Sequence, residues 1–147
     1  MNMELISTHV CKEKNVGVHG NLFGGTMLGW LDEAGAAFAA QACGSPRMVT
    51  KCISEVVFAK PVRPGQIIKI YGDVVRIRNS SITIVLEARR HSVVNGSQRS
   101  VCTVEVTFVR IDGDGEAVPI LNVKKAYIDK VEVNKDLDTI PLLGIKK

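Results

Sequence analysis

The sequence predicts an α+β domain in which an antiparallel β-sheet wraps around one long helix. Three observations carry that expectation. Residues 24–43 are almost all good helix formers, and they are apolar on nearly every side. The later stretches 48–58, 66–78, 82–94 and 99–111 are rich in Val, Ile and Thr and bounded by turn residues. The links Asn79-Ser80 and Asn95-Gly96 are too short for parallel crossovers, so the strands they join must run antiparallel. A helix without a polar face has to be buried, and a sheet can bury it only by curling around it.

Taken in order, residues 4–10 read as a short strand that pairs at an edge or at the centre of the sheet. A glycine-bearing loop, 17–23, leads into the helix. Asp32 and Glu33 at the helix centre exclude a membrane span, since each would cost about 2.5–3.5 kcal/mol to insert. Lys60-Pro61-Val62-Arg63-Pro64-Gly65 is a stiff turn after the first long strand. In the last strand Cys102, Val104, Val106 and Phe108 alternate with Val101, Thr103, Glu105 and Thr107, as a sheet with one wetter face requires. Cys102 is therefore expected in the core. Residues 122–147 form a polar tail in which Tyr127, Ile128, Val131 and Val133 could pack as a short element. No repeat or linker divides the chain, so 1–147 is read as a single domain.

The composition belongs to a globular domain: 147 residues, 46% hydrophobic and 23% charged. At this size a core forms without disulfides or a structural metal. Nineteen Lys and Arg against fifteen Asp and Glu leave a charge of +4, which suits phosphate-bearing ligands. Aromatics make up only 5% and no basic tract occurs, so neither nucleic acid nor membrane insertion is expected. The four cysteines form no C-x-x-C pair and the N-terminus lacks a signal-peptide pattern, so a reducing cytoplasm is the expected compartment.

Common catalytic signatures are missing, including the G-x-S-x-G elbow, the phosphate loop and H-E-x-x-H. Asp112-Gly113-Asp114-Gly115-Glu116 lacks the acidic twelfth position of a calcium loop and reads as a turn. His9, His19 and His91 lack metal-ligand spacing, so no metal is expected.

The outstanding residue is Asp32, a carboxylate within an apolar helix. A buried carboxylate is costly unless paired, hydrogen-bonded or used. One reading turns Asp32 and Glu33 into a wet groove; the other makes Asp32 a general base or nucleophile. The helix opens at Gly24-Gly25, where free backbone N–H groups attract developing oxyanions, although the same pattern also serves as a tight turn. Gly25 and Asp32 are separated by about 10.5 Å along the axis of a regular helix. Base and oxyanion donors must each come within about 3 Å of the reacting group. If both serve one reaction, the site lies between two chains, and the exposed sheet edge predicts a homodimer.

His19-Gly20-Asn21-Leu22-Phe23-Gly24-Gly25-Thr26, then Leu31-Asp32-Glu33-Ala34-Gly35-Ala36, then Phe58-Ala59-Lys60-Pro61-Val62-Arg63-Pro64-Gly65 resemble the acyl-CoA thioesterases of the hotdog fold, in particular the cytosolic acyl-CoA hydrolases and YciA-like enzymes. The resemblance spans residues 7–119. It implies hydrolysis of acyl-CoA to a free acid and CoA, with no cofactor beyond the CoA of the substrate. It also implies a homodimer with shared active sites, often assembled as a trimer of dimers. In the family the helix carboxylate is catalytic, which falls on Asp32. Asn21 corresponds to a loop asparagine implicated in some relatives, and Gly25, with Gly24, would polarise the thioester carbonyl. The same likeness places Arg78, Ser80 and Ser81 near the CoA cleft. His19 is a candidate substrate contact or a loop-packing residue.

Lys60, Arg63, Arg76, Arg78, Arg89 and Arg90 are candidate phosphate ligands near strand ends. Gln66 departs from the acidic residue that often follows Pro-Gly in the family. Two alternatives stand beside hydrolysis: a non-catalytic acyl-CoA sensor, and a hydroxyacyl thioester dehydratase, whose histidine motifs are missing here.

Overall fold

The structure is a computed structural model and describes residues 3–131, 133 and 134. Its elements are β1 (Glu4–Val10), α1 (Gly24–Cys43), β2 (Met48–Ile53), β3 (Val57–Phe58), β4 (Ile67–Arg78), β5 (Ser81–His91), β6 (Gln98–Arg110), α2 (Lys125–Ile128) and β7 (Val133–Asn134). The sheet runs β1-β4-β5-β6-β2, all antiparallel, with β3 added to β6 and β7 added in parallel to β4.

Helix α1 has the bounds that composition predicts. It buries Met27, Leu31, Ala34, Gly35, Phe38, Ala39, Ala42 and Cys43, an i, i+4, i+7 succession that makes one stripe. Gly44 ends it in the left-handed conformation at φ 60°, a geometry that glycine adopts without strain. Rows of side chains on β4, β5 and β6 receive the stripe: Gly72–Leu86–Val104, Val74–Ile84–Val106 and Ile77–Ile82–Phe108 share a face by register. Gly35 lets the helix settle there, because a Cβ at that position would lie 2.8 Å from Leu86 Cδ1 and 2.9 Å from Phe108 Cζ. Sheet and helix thus enclose one core.

Several expectations shift. The stretch 48–58 is two strands, because Ser54 turns into the ladder: its N–H donates to Glu105 O and its hydroxyl accepts from Glu105 N–H. β5 stops at His91, and Val93 and Val94 sit exposed in the turn to β6. There Ser92 O accepts from Gly96 N–H, with Gly96 at φ 73°. In β6 the inward residues are those predicted, yet Val101 and Thr107 are buried too. A bulge opposite Arg89 accounts for Val101. On the outer face Thr107 hydrogen-bonds Thr83 at 2.9 Å. The Arg76–Glu105 ion pair crosses β5 on this face, so its stems cover Thr83 and Val85.

β1 occupies one sheet edge, beside β4. The tail returns over the far end of α1: Lys124 N–H donates to Ala42 O, Tyr127 packs edge-on to Phe38, and Lys130 pairs with Asp73. Tyr127 and Val131 pack on the core as expected, whereas Ile128 is exposed. The rest of the tail, 135–147, lies outside the described residues.

Candidate active site

The loop before α1 is stitched at both ends. Gly17 N–H donates to Asn21 O, Phe23 N–H donates to Asn15 O, and Leu22 N–H donates to Val62 O at 2.6 Å. These bonds hold Asn21 against the Lys60–Gly65 turn. That turn is closed by Gln66, whose side-chain oxygen accepts from Arg63 N–H at 2.8 Å. Here an amide therefore takes the acceptor position of this turn. Gly65 at φ 89° completes it.

Between these two loops and the start of α1 lies a cleft of about 430 Å³, lined by Asn21, Gly24, Met27, Phe58, Lys60 and Val101 among others. Its walls are mainly apolar. Asn21 Oδ1 is buried there without a hydrogen-bond donor among the described residues, and such an orphaned acceptor is rare in native structures. The helix has no side-chain N-cap, and its first backbone bonds run from Thr26 and Met27 N–H to Phe23 O. The N–H groups of Gly24 and Gly25 are left without a described acceptor, as expected at a helix start. Glycine at 24 keeps the entrance narrow but open, since a Cβ there would meet the Phe58 ring at 3.3 Å.

Asp32 is absent from this cleft. It sits half-buried two turns further along the helix, where Thr50 Oγ1 on β2 donates to its Oδ1 at 2.6 Å. Glu33, by contrast, is exposed. The two acidic neighbours therefore do not turn together into one groove: Asp32 faces the edge strand and Glu33 faces solvent. Thr50 escaped the sequence reading because nothing in a separation of 18 residues marks it as a partner of Asp32. The pairing follows from β2 lying alongside α1.

The remaining candidates divide. Lys60 lines the cleft. Arg63 is exposed on the adjoining turn and His19 is exposed at the tip of the Asn21 loop, and neither lines the cleft. Ser80 and Ser81 are each 2% exposed. With Arg78 they occupy the β4–β5 turn, at the other end of β5 from Arg90 and about 30 Å from it at strand rise. Within one chain they do not join Asn21 and Lys60. Arg76 is tied to Glu105, and Arg89 to Glu87 and the Tyr71 ring. Among the described residues no group of three His, Cys, Asp or Glu is placed to hold a metal, and no helix is long and apolar enough to cross a membrane.

An antiparallel sheet curled around a single central helix, with glycines and an asparagine at the helix start and a carboxylate midway along it, defines the hotdog class. Residues 19–97 match the thioesterase superfamily. The chain belongs to that family. It is 30% identical over 122 residues to an acyl-CoA thioester hydrolase of Zymomonas mobilis, covering 80% of each chain. Among solved structures it resembles a hexameric hotdog fold thioesterase of Campylobacter jejuni at 34% identity and a TM-score of 0.72, covering 80% of this chain and 90% of that one. It also resembles an acyl-CoA hydrolase of Staphylococcus aureus solved with butyryl coenzyme A, at 25% identity and a TM-score of 0.74, covering 88% of this chain and 74% of that one.

Proposed function

We propose that this protein hydrolyses acyl-CoA thioesters to a carboxylic acid and CoA, in an active site completed by a second copy of the chain. The observation that carries this reading is the division of the chemistry on one chain. Gly24 at the helix start and Asn21, with its orphaned Oδ1, line one cleft, while the carboxylate of Asp32, held by Thr50, faces the edge strand β2. Each half is incomplete alone. Pairing two chains through their β2 edges continues the sheet and satisfies an unpaired strand. It would bring Asp32 of one protomer to the glycine start of its partner. The hexameric assembly of the Campylobacter jejuni relative supports a trimer of such dimers.

In this site the thioester carbonyl oxygen takes hydrogen bonds from the N–H groups of Gly24 and Gly25, which strengthen as negative charge develops. Asn21 Oδ1 orients the attacking water. Asp32 takes a proton from that water as its oxygen bonds to the carbonyl carbon. Collapse of the tetrahedral intermediate breaks the C–S bond and releases CoA thiolate, which is protonated in water. Attack by Asp32 itself, through an acyl anhydride, starts from the same carboxylate; single turnover in ¹⁸O-water labels Asp32 when water opens that anhydride at the Asp32 carbonyl, and trapping the anhydride with hydroxylamine detects the second route when water opens it at the acyl carbon. A thiolate leaves readily, so neither route requires a cofactor or a strong general acid. We infer the reducing, cytoplasmic compartment that the sequence suggests, where thiols such as Cys11 and Cys52 stay reduced.

Thiol release from a panel of acyl-CoAs tests the assignment with the native chain and Asp32→Asn. Hydrolysis by the native chain that falls at least about a hundredfold in the variant supports it. Release by neither protein indicates binding alone, and equal release by both removes Asp32 from the chemistry.

A further inference from the structure

We propose that Arg90 and Arg99, with Lys60 beside them, bind the phosphate-bearing nucleotide end of the CoA thioester; this rests on the proposed function and locates the other end of the same substrate. Arg90 and Arg99 are direct cross-strand partners on β5 and β6, and the row continues to Ile68 on β4. Ile68 is fully buried in the core, so the row faces the helix side of the sheet, past the start of α1. Like charges placed directly opposite destabilise a strand pair. Two arginines of the same sheet are neutralised, Arg76 by Glu105 and Arg89 by Glu87, and Arg78 and Arg110, which are not, lie at strand ends without an arginine opposite them. Arg90 and Arg99 have no carboxylate partner among the described residues. A dianionic phosphate between them would turn their repulsion into two charge-assisted contacts.

Their position continues the thioester cleft. Arg90 Nη1 donates to Pro61 O at 3.1 Å, which fixes its guanidinium against the turn that walls the Asn21 cleft. On β6, Val101 lines that cleft and Arg99 lies two residues further, about 7 Å away. Arg90 and Arg99 both line a second cleft of about 470 Å³, and neither cleft has an Asp or Glu in its lining. A pantetheine arm can therefore lie along the apolar cleft with its phosphates among Lys60, Arg90 and Arg99.

The test is calorimetric binding of adenosine 3′,5′-bisphosphate, which carries the nucleotide phosphates but no thioester. The native protein should bind it, and Arg90→Gln/Arg99→Gln should bind about tenfold more weakly or less. Lys125→Gln, an exposed charge on α2 at the far end of α1, should bind as the native protein does. In hydrolysis the double variant should raise KM for acyl-CoA about tenfold and leave kcat/KM for the matching acyl-pantetheine unchanged. Arg99→Gln alone removes a side chain with no described hydrogen bond, so it should fold and still weaken binding if the double variant does not fold. No binding by the native protein, equal binding by the Arg99 variant, or an equal loss in Lys125→Gln overturns the proposal. A chain that binds the bisphosphate through these arginines yet releases no thiol would instead defeat the proposed function alone.

Discussion

Replacing Thr50 by Val removes the one described donor to Asp32 while leaving the backbone of β2 nearly untouched, since the two side chains are close in shape and Val suits a strand. The bond is short, 2.6 Å, between a hydroxyl and a carboxylate. Hydrogen bonds to charged groups contribute about 1.5–3 kcal/mol. Asp32 is only half-buried, so the lower end applies, and about 1.5 kcal/mol corresponds to roughly a tenfold loss in rate. The loss should fall on kcat, because Thr50 lines neither cleft; KM should stay within about twofold. Steady-state thiol release reads both parameters, and Thr50→Ser, which keeps the hydroxyl, should recover most of the rate. An unchanged kcat in Thr50→Val, or a Thr50→Ser as slow as Thr50→Val, would refute the view that this hydroxyl positions the carboxylate.

Gly35→Ala should destabilise the fold by about 1–2 kcal/mol, since overpacking against the fully buried Leu86 and Phe108 outweighs the gain of about 1 kcal/mol in helix propensity; calorimetry should show a midpoint lowered by about 3–6 °C. Stability should also fall as pH drops below the ordinary histidine range. Burial between β1 and α1 lowers the pKa of His9, with the charge of Glu33 opposing. The unfolded chain then takes up the proton first, so stability present above the unfolded pKa is lost as pH falls toward the folded one. In His9→Gln the thermal midpoint should decline less between pH 7 and 5; an identical decline would rule out His9 as a source.

The fold was legible because a long run of apolar helix formers and a set of Val-, Ile- and Thr-rich strands stand apart in the sequence. An apolar helix that could be neither membrane-bound nor exposed left few packings, and the short links at Asn79 and Asn95 fixed the direction of the long strands. What escaped depends on contacts between segments remote in sequence. Ser54 breaks a strand by bonding to Glu105, with no Gly or Pro to announce it. Val93 and Val94 look like strand residues but occupy a turn set by Gly96. At the site, Asn21, the glycines and Lys60 were found as a motif, and the structure gathers Asn21, Gly24 and Lys60 around one cleft, with Gly25 next along the helix against the Phe23 ring. Thr50 was invisible because only the packing of β2 on α1 brings it to Asp32. Ser80 and Ser81 looked like open loop residues, yet the sheet end buries both.

Subunit complementation tests the shared site most directly. Asp32→Asn and Asn21→Ala should each be nearly inactive alone. Unfolded together in equal amounts and refolded, half of the dimers should be mixed, each with one of its two sites intact, so that about a quarter of native activity returns. A mixture no more active than its parents would show that Asp32 and Asn21 serve the reaction from within one chain, contradicting the account.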